Sequence, residues 1–271
     1  MPSFGMRRKG PLGGQEGAPQ GMGVLGRWKY RTLEQRGADA PVPQEHLDAV
    51  LAEIDGFTKE FPSSRALPRA KLDLMPASHP EFAATLREYV LTALKRSSTT
   101  LIADLKSFYP PRALSAQTGG RMPLPAGSAQ EGKADVLDEV LKELLDGLNG
   151  SPAAVEGAPR GLSVTPAHQF LVLLWQGQHL DKWGCAEEAE VVLKTAVDHT
   201  STSPDAHHAL ARALKHQGAM VAAAECVATA AALDADDRYV NTKHAEYLAM
   251  AGRHSESEVR DVIHKFVHGK G

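Results

Sequence analysis

Disulfides, membrane helices and strands all find little support in this sequence. Cysteine occurs twice in 271 residues, at Cys185 and Cys226, and neither belongs to a CxxC pair. Two thiols cannot build a disulfide framework, so a reducing, cytoplasmic compartment is expected. Aromatics make up only 6% of the chain, and β-branched runs are scarce. No apolar run approaches the roughly 20 residues of a membrane helix, so no membrane partner is expected. The formal net charge is −3, which supplies no global basic field for nucleic acid. Residues 1–25 are rich in Gly, Pro and Gln and lack an apolar core of secretory type, so a disordered tail is expected there.

What is present is helical periodicity. Leu47, Val50, Leu51, Ile54, Phe57 and Phe61 fall at helical spacing before Pro62, predicting a helix over roughly 44–60. A short helix over Ala66–Met75 and a stronger one over Glu81–Arg96 follow, the latter with an apolar stripe of Phe82, Leu86, Tyr89, Val90 and Leu94. Thr99 or Thr100 is placed to cap a helix through Leu101, Ile102, Leu105 and Phe108, ended by Pro110-Pro111. Residues 112–163 read as a low-complexity insertion holding one amphipathic helix, about 135–148. Its charges, Lys133, Asp135, Asp138, Glu139, Lys142, Glu143 and Asp146, read as a solvated face. From residue 164 to 271 the chain is almost continuously helical.

That last stretch repeats. Gly184, Gly218 and Gly252 stand 34 residues apart, the period of a tetratricopeptide (TPR) hairpin. Gly177, Ala211 and Ala245 recur seven positions before them, and Ala189, Ala223 and Ser257 five after. Leu180, Leu214 and Leu248 recur four before. A glycine adopts the left-handed backbone that ends a helix without steric cost. Small residues let paired helices approach, and the leucines fill the space between hairpins. Ser203-Pro204 makes a helix start of the capping type. The fold class expected is therefore all-α, a TPR-like α-solenoid of stacked antiparallel hairpins. Residues 26–111 form its first hairpins and 164–271 three repeats.

Within the repeats one string is more specific than a generic array. Leu233-Asp234, followed by Asp237-Arg238-Tyr239-Val240-Asn241-Thr242-Lys243 and then Ala245 and Tyr247, resembles an L-D-x-x-D-R-[FY]-[IV]-N-[ST]-K pattern. It is that of the auxiliary subunit of the NatA N-terminal acetyltransferase. Upstream, Tyr30–Glu34, Phe61–Ser64 with Pro68–Asp73, and Leu101–Tyr109 are similar to segments of the same family in the same order. The family's K-G-[VI]-P-S appears here as Lys95-Arg96-Ser97-Ser98-Thr99. The family protein is a longer solenoid, so the chain is expected to correspond to a central portion of it.

The resemblance implies a non-catalytic scaffold that binds a catalytic acetyltransferase subunit and works at the ribosome. It implies no cofactor of its own. It also implies inositol hexakisphosphate between the subunits, for which Lys215, His216, Arg238 and Lys243 are the candidate contacts, with His244 nearby. An acetyl-CoA loop is missing; Gln20-Gly21-Met22-Gly23 is a faint echo in the tail. Other signals have plainer readings. His207-His208 point in different directions on a helix, and His264 and His268 lack an HExxH context, so no metal is expected. Trp175, Trp183, Cys185 and Cys226 read as packing residues. The alternative function is a TPR adaptor of chaperone co-factor type. Such adaptors grip a C-terminal carboxylate with Lys and Asn on successive first helices, where this chain has Leu174, Gln178 and Ala209.

Overall fold

The computed structural model describes residues 44–109, 128, 130–150 and 165–258. Among them every regular element is helical, and the helices touch largely in chain order. The first is α1, Gln44–Glu60, whose Leu47, Val50, Leu51 and Ile54 are buried at 6% exposure or less. Phe57 and Phe61 share its periodicity but stand 39% and 53% exposed. Phe57 lies in the last turn of α1 and Phe61 just beyond it, so periodicity alone over-assigns them to the core. α2 (Ala66–Leu74) buries Leu72 and Leu74, and α3 (Phe82–Lys95) buries Phe82, Leu86, Val90, Leu91 and Leu94.

The next element departs from the expected helix. α4 is a single turn, Leu101–Asp104, followed by a 3-10 turn over Lys106–Phe108. Thr100 makes no side-chain cap; its Oγ1 meets Ser98 Oγ at 3.1 Å instead. Leu101, Ile102, Leu105 and Phe108 are all buried, so the tightened turn still delivers its apolar residues inward. Pro110 and Pro111 lie outside the described residues.

α5 spans Lys133–Gly150, longer at both ends than the periodic stretch suggests. Its charged face is not wholly solvated, because Lys133 is 0% and Asp138 6% exposed. Lys133 Nζ donates to Leu72 O at 2.8 Å and Asp73 O at 2.9 Å, two of the carbonyls that the end of α2 leaves open; Gln130 Nε2 also reaches Asp73 O, at 3.4 Å. The Phe82 and Phe108 rings each stand 5.6 Å from the ammonium. Burial pulls this amine down to about 7 from its ordinary value near 10.5. α5 packs on α6 (Pro166–Trp183), which joins the first helices to the repeats. Trp175, 0% exposed, ties this junction by donating its indole N–H to Ser98 O at 2.9 Å.

The repeats pair α6 with α7 (Ala186–His199) and α8 (Pro204–His216) with α9 (Met220–Leu233). α10 (Arg238–Met250) packs on α9, and a further helix is under way over residues 254–258. Gly184, Gly218 and Gly252 have φ of 95°, 85° and 77°. Each closes the same two bonds. Cys185, Ala219 and Arg253 donate backbone N–H back to Leu180, Leu214 and Leu248 O at 2.9, 3.0 and 2.9 Å. The glycines donate to the residue after each leucine at 3.3, 3.1 and 3.0 Å. This is the Schellman end, in which a left-handed residue satisfies carbonyls that the helix leaves open.

Within the hairpins the small residues sit at the contacts. A Cβ built on Gly177 would meet Leu193 Cγ at 2.3 Å. Ala189, Ala211 and Ala223 are fully buried and Ala245 nearly so. In the third unit Ser257 replaces alanine, and its hydroxyl donates to Ala245 O at 2.8 Å. One continuous apolar core runs from Leu47 to Leu248, with Cys185 and Cys226 partly buried against it.

Candidate functional site: the face of the first helices

The repeat geometry places α6, α8 and α10 side by side, and their polar residues meet across helices. Asp181 of α6 is 5% exposed. It accepts from Arg212 Nε of α8 at 2.7 Å and shares a hydrogen bond with His216 Nδ1. Burial pushes the Asp181 carboxyl upward, but the His216 hydrogen bond and the Arg212 charge outweigh it and hold it below its ordinary value. One carboxylate thus fastens two successive repeats.

Between α8 and α10 the contacts are aromatic. His208 stands edge-on to Tyr239 with centroids 5.3 Å apart, and Lys215 Nζ lies 5.1 Å over the Tyr247 ring. Lys243 Nζ lies 5.6 Å from the Tyr239 ring and 2.7 Å from Glu246 Oε2. Tyr239, Lys243 and Tyr247 follow one another at i, i+4 and i+8, so one face of α10 carries all three. Burial, reinforced by the Arg212 charge, takes His208 down to about 4, so this imidazole is neutral at physiological pH.

The string Leu233–Lys243 has a local physical reason. Asp237 caps α10, accepting from the backbone N–H of Tyr239 at 2.8 Å and Val240 at 3.3 Å. Asn241 Nδ2 donates to Ala235 O and Asp237 O at 2.8 and 2.9 Å, closing the loop onto the helix. Val240 seals a small cluster with Ala230 and Ala231. Most of the string therefore builds the turn between the second and third hairpins. Tyr239, 57% exposed, and Arg238, also exposed, are left facing outward.

The four candidate polyphosphate contacts are engaged differently as folded. His216 is bound to Asp181 and Lys243 to Glu246, so a polyanion would compete with two carboxylates. Lys215 packs on Tyr247 and Arg238 is exposed. Of the three positions of the carboxylate-clamp alternative, Leu174 and Ala209 are 0% and 1% exposed and cannot reach a peptide, and Gln178 is half-buried.

A second polar cluster escaped the sequence reading. Tyr109 Oη and His179 Nδ1 are 2.8 Å apart, and His179 Nε2 is 3.6 Å from Asp138 Oδ1. Asp138 also accepts from Gln176 at 3.0 Å and Lys142 at 2.7 Å. Burial raises Asp138, yet the Lys142 and Gln176 hydrogen bonds and the His179 charge bring it below its ordinary value. Burial and the Asp138 charge push the Tyr109 hydroxyl well above its usual range. The order Tyr–His–Asp resembles a proton relay, but His179 is 0% and Tyr109 7% exposed, which leaves no room for a substrate. The cluster fastens the 3-10 turn, α5 and α6 together. Its only sequence signal was a carboxylate next to Leu137 in an apolar stripe.

Among the described residues no group of His, Cys, Asp and Glu could hold a metal ion, and no helix is long and apolar enough to cross a membrane. His264 and His268 lie outside the described residues.

Fold and face together define an all-α solenoid of TPR-like hairpins. The model of one family, described as "N-terminal acetyltransferase A, auxiliary subunit", matches residues 128–269. The chain belongs to that family. It is similar to the N-terminal acetyltransferase A complex auxiliary subunit NAA15 of Arabidopsis thaliana, 23% identical over 208 residues, covering 76% of this chain. It is also similar in fold to a chain of a solved structure titled as Naa15/Naa10 bound to HypK-THB, with a TM-score of 0.62 and 20% identity over 88% of this chain. The chain spans 20% of the length of the Arabidopsis relative and 30% of that solved chain.

Proposed function

We propose that this chain is a non-catalytic scaffold segment of an N-terminal acetyltransferase of the A type. It binds the catalytic subunit and so supports co-translational acetylation of protein N-termini at the ribosome, in the cytoplasm. The observation that carries this reading is the face of α6, α8 and α10, in which the acid–base groups are locked into inter-helix contacts while Tyr239 and Arg238 project outward. A rigid polar–aromatic face with exposed Tyr and Arg has the composition of a protein-binding surface. Family membership supplies the class of partner, and a solved relative's title pairs Naa15 with Naa10.

Co-expression with a tagged catalytic acetyltransferase subunit, followed by affinity capture, tests the reading. The wild-type chain should be retained, and Y239A/R238E should be lost while keeping its helical circular dichroism. Retention of neither chain, or equal retention of both, would count against this face.

A further inference from the structure

The N-terminal helices carry a concavity of their own. A cleft of about 260 Å³ runs between α3 on one side and the end of α1, the 61–65 turn and α2 on the other. Its α3 wall is a polar stripe at helical spacing that includes Tyr89, Thr92 and Arg96, with Glu88 beside it. Pro62 and Pro68 supply stiff apolar surface on the opposite wall.

The walls are braced. Lys71 Nζ lies 3.0 Å from Asp55 of α1 and 3.6 Å from Glu81 at the start of α3. Arg65 at the start of α2 lies 3.7 Å from Asp104. A cleft held open this way loses little entropy when it is filled. These pairs also use up four of the six charges that line it. The two left are Glu88 and Arg96, both exposed and without an ion-pair partner among the described residues. They stand eight positions apart, Arg96 just past the end of α3, a rise of about 12 Å at 1.5 Å per residue. Three or four residues of extended chain span about the same distance. Between the two charges stand the Tyr89 and Thr92 side chains, whose hydroxyls can serve a peptide backbone.

We propose that this cleft binds an extended peptide segment of four or five residues, with a basic side chain at Glu88 and an acidic one at Arg96. Balanced charge disfavours a phosphate-rich ligand or a nucleic-acid strand. Polar walls around a few apolar plates disfavour a lipid tail. The inference does not rest on the scaffold reading, since none of the cleft residues belongs to α6, α8 or α10.

The test is fluorescence anisotropy of the full chain with a labelled, end-blocked pentapeptide Lys-Ser-Ala-Ser-Glu at low salt. Saturable binding below ~1 mM is expected. E88K and R96E should each weaken it about tenfold, the size of one lost charge-assisted hydrogen bond. The double variant E88K/R96E should recover most of the loss, because an extended peptide can lie in the opposite direction. Gln-Ser-Ala-Ser-Gln should bind like the weakened variants. No binding by the wild-type chain overturns the proposal. So does binding that neither single variant changes, or a double variant no better than the singles.

Discussion

Replacing Gly177 by alanine reports directly on hairpin packing. In an ordinary helix interior the change favours folding by up to about 1 kcal/mol, since glycine gives up more backbone freedom. At Gly177 the new methyl would sit 2.3 Å from Leu193 Cγ and 2.6 Å from its Cδ2. Carbon atoms pack best at about 3.5–4.0 Å. Leu193 is 0% exposed, so it cannot swing into solvent, and α6 and α7 have to part. Over-packing of this kind costs about 1–3 kcal/mol. The net expectation is a loss of about 0–2 kcal/mol, after the helix-propensity gain is subtracted. Gly56 is the built-in control. It lies inside α1 with nothing within 4 Å of a built Cβ, so G56A should stabilise by about 0.5–1 kcal/mol. Urea unfolding followed at 222 nm reads both. Adding L193A should reverse the sign, so that G177A becomes stabilising in that background. A G177A variant as stabilising as G56A in the wild-type background would refute the close helix contact.

Other consequences can be measured in the same way. Lys133 holds its proton less tightly folded, at about 7, than unfolded near 10.5. Between those values the unfolded chain binds the extra proton, so stability should rise as pH climbs above about 7 and stay flat below it. K133M should remove that slope in urea midpoints taken from pH 6 to 9.5; an unchanged slope would show that Lys133 is not its source. Asp181 is depressed in the folded chain, so its contribution is present above its unfolded value of 3.8 and is lost as pH falls through the folded value. D181N should therefore cost about 2–4 kcal/mol at neutral pH by leaving Arg212 and His216 uncompensated, and should flatten the acid limb of the unfolding curve. Inositol hexakisphosphate should raise the melting temperature of the wild-type chain little, and that of E246Q more, since Glu246 competes for Lys243; equal shifts would exclude Lys243 from any polyanion contact.

Much of the fold was legible in the sequence because its signals are local. A glycine that must adopt positive φ, a serine before a proline and leucines at helical spacing carry their structural reason within a few residues. The residues that misled depend on distant partners. Lys133 reads as one more solvated charge until the carbonyls of Leu72 and Asp73, some 60 positions earlier, are placed against its ammonium. Asp138 and His179 are polar groups on apolar stripes, and nothing within either helix names Tyr109 as the third member. Phe57 and Phe61 fail in the opposite sense: helical spacing marks a stripe but not how far along it the stripe is covered. The candidate surface was half legible. Lys215, His216, Arg238 and Lys243 do lie along the ends and face of α8 and α10. Periodicity could not show that Asp181 and Glu246 reach two of them first.

Leu233–Lys243 illustrates how identity and function separate. Asp237, Val240 and Asn241 hold a turn together, and a turn of this shape sets the angle between two hairpins. That angle in turn decides how α8 and α10 present their face. Most of the string thus has a folding role, and only its Arg238 and Tyr239 side chains are left for the binding proposed above.

The most direct measurement is hydrogen exchange of the chain with and without the catalytic acetyltransferase subunit. Protection should concentrate on α6, α8 and α10, around Arg238 and Tyr239, and leave the outer faces of α7 and α9 unchanged. Protection confined to those second helices, or none at saturating partner, would contradict the scaffold role proposed for this face.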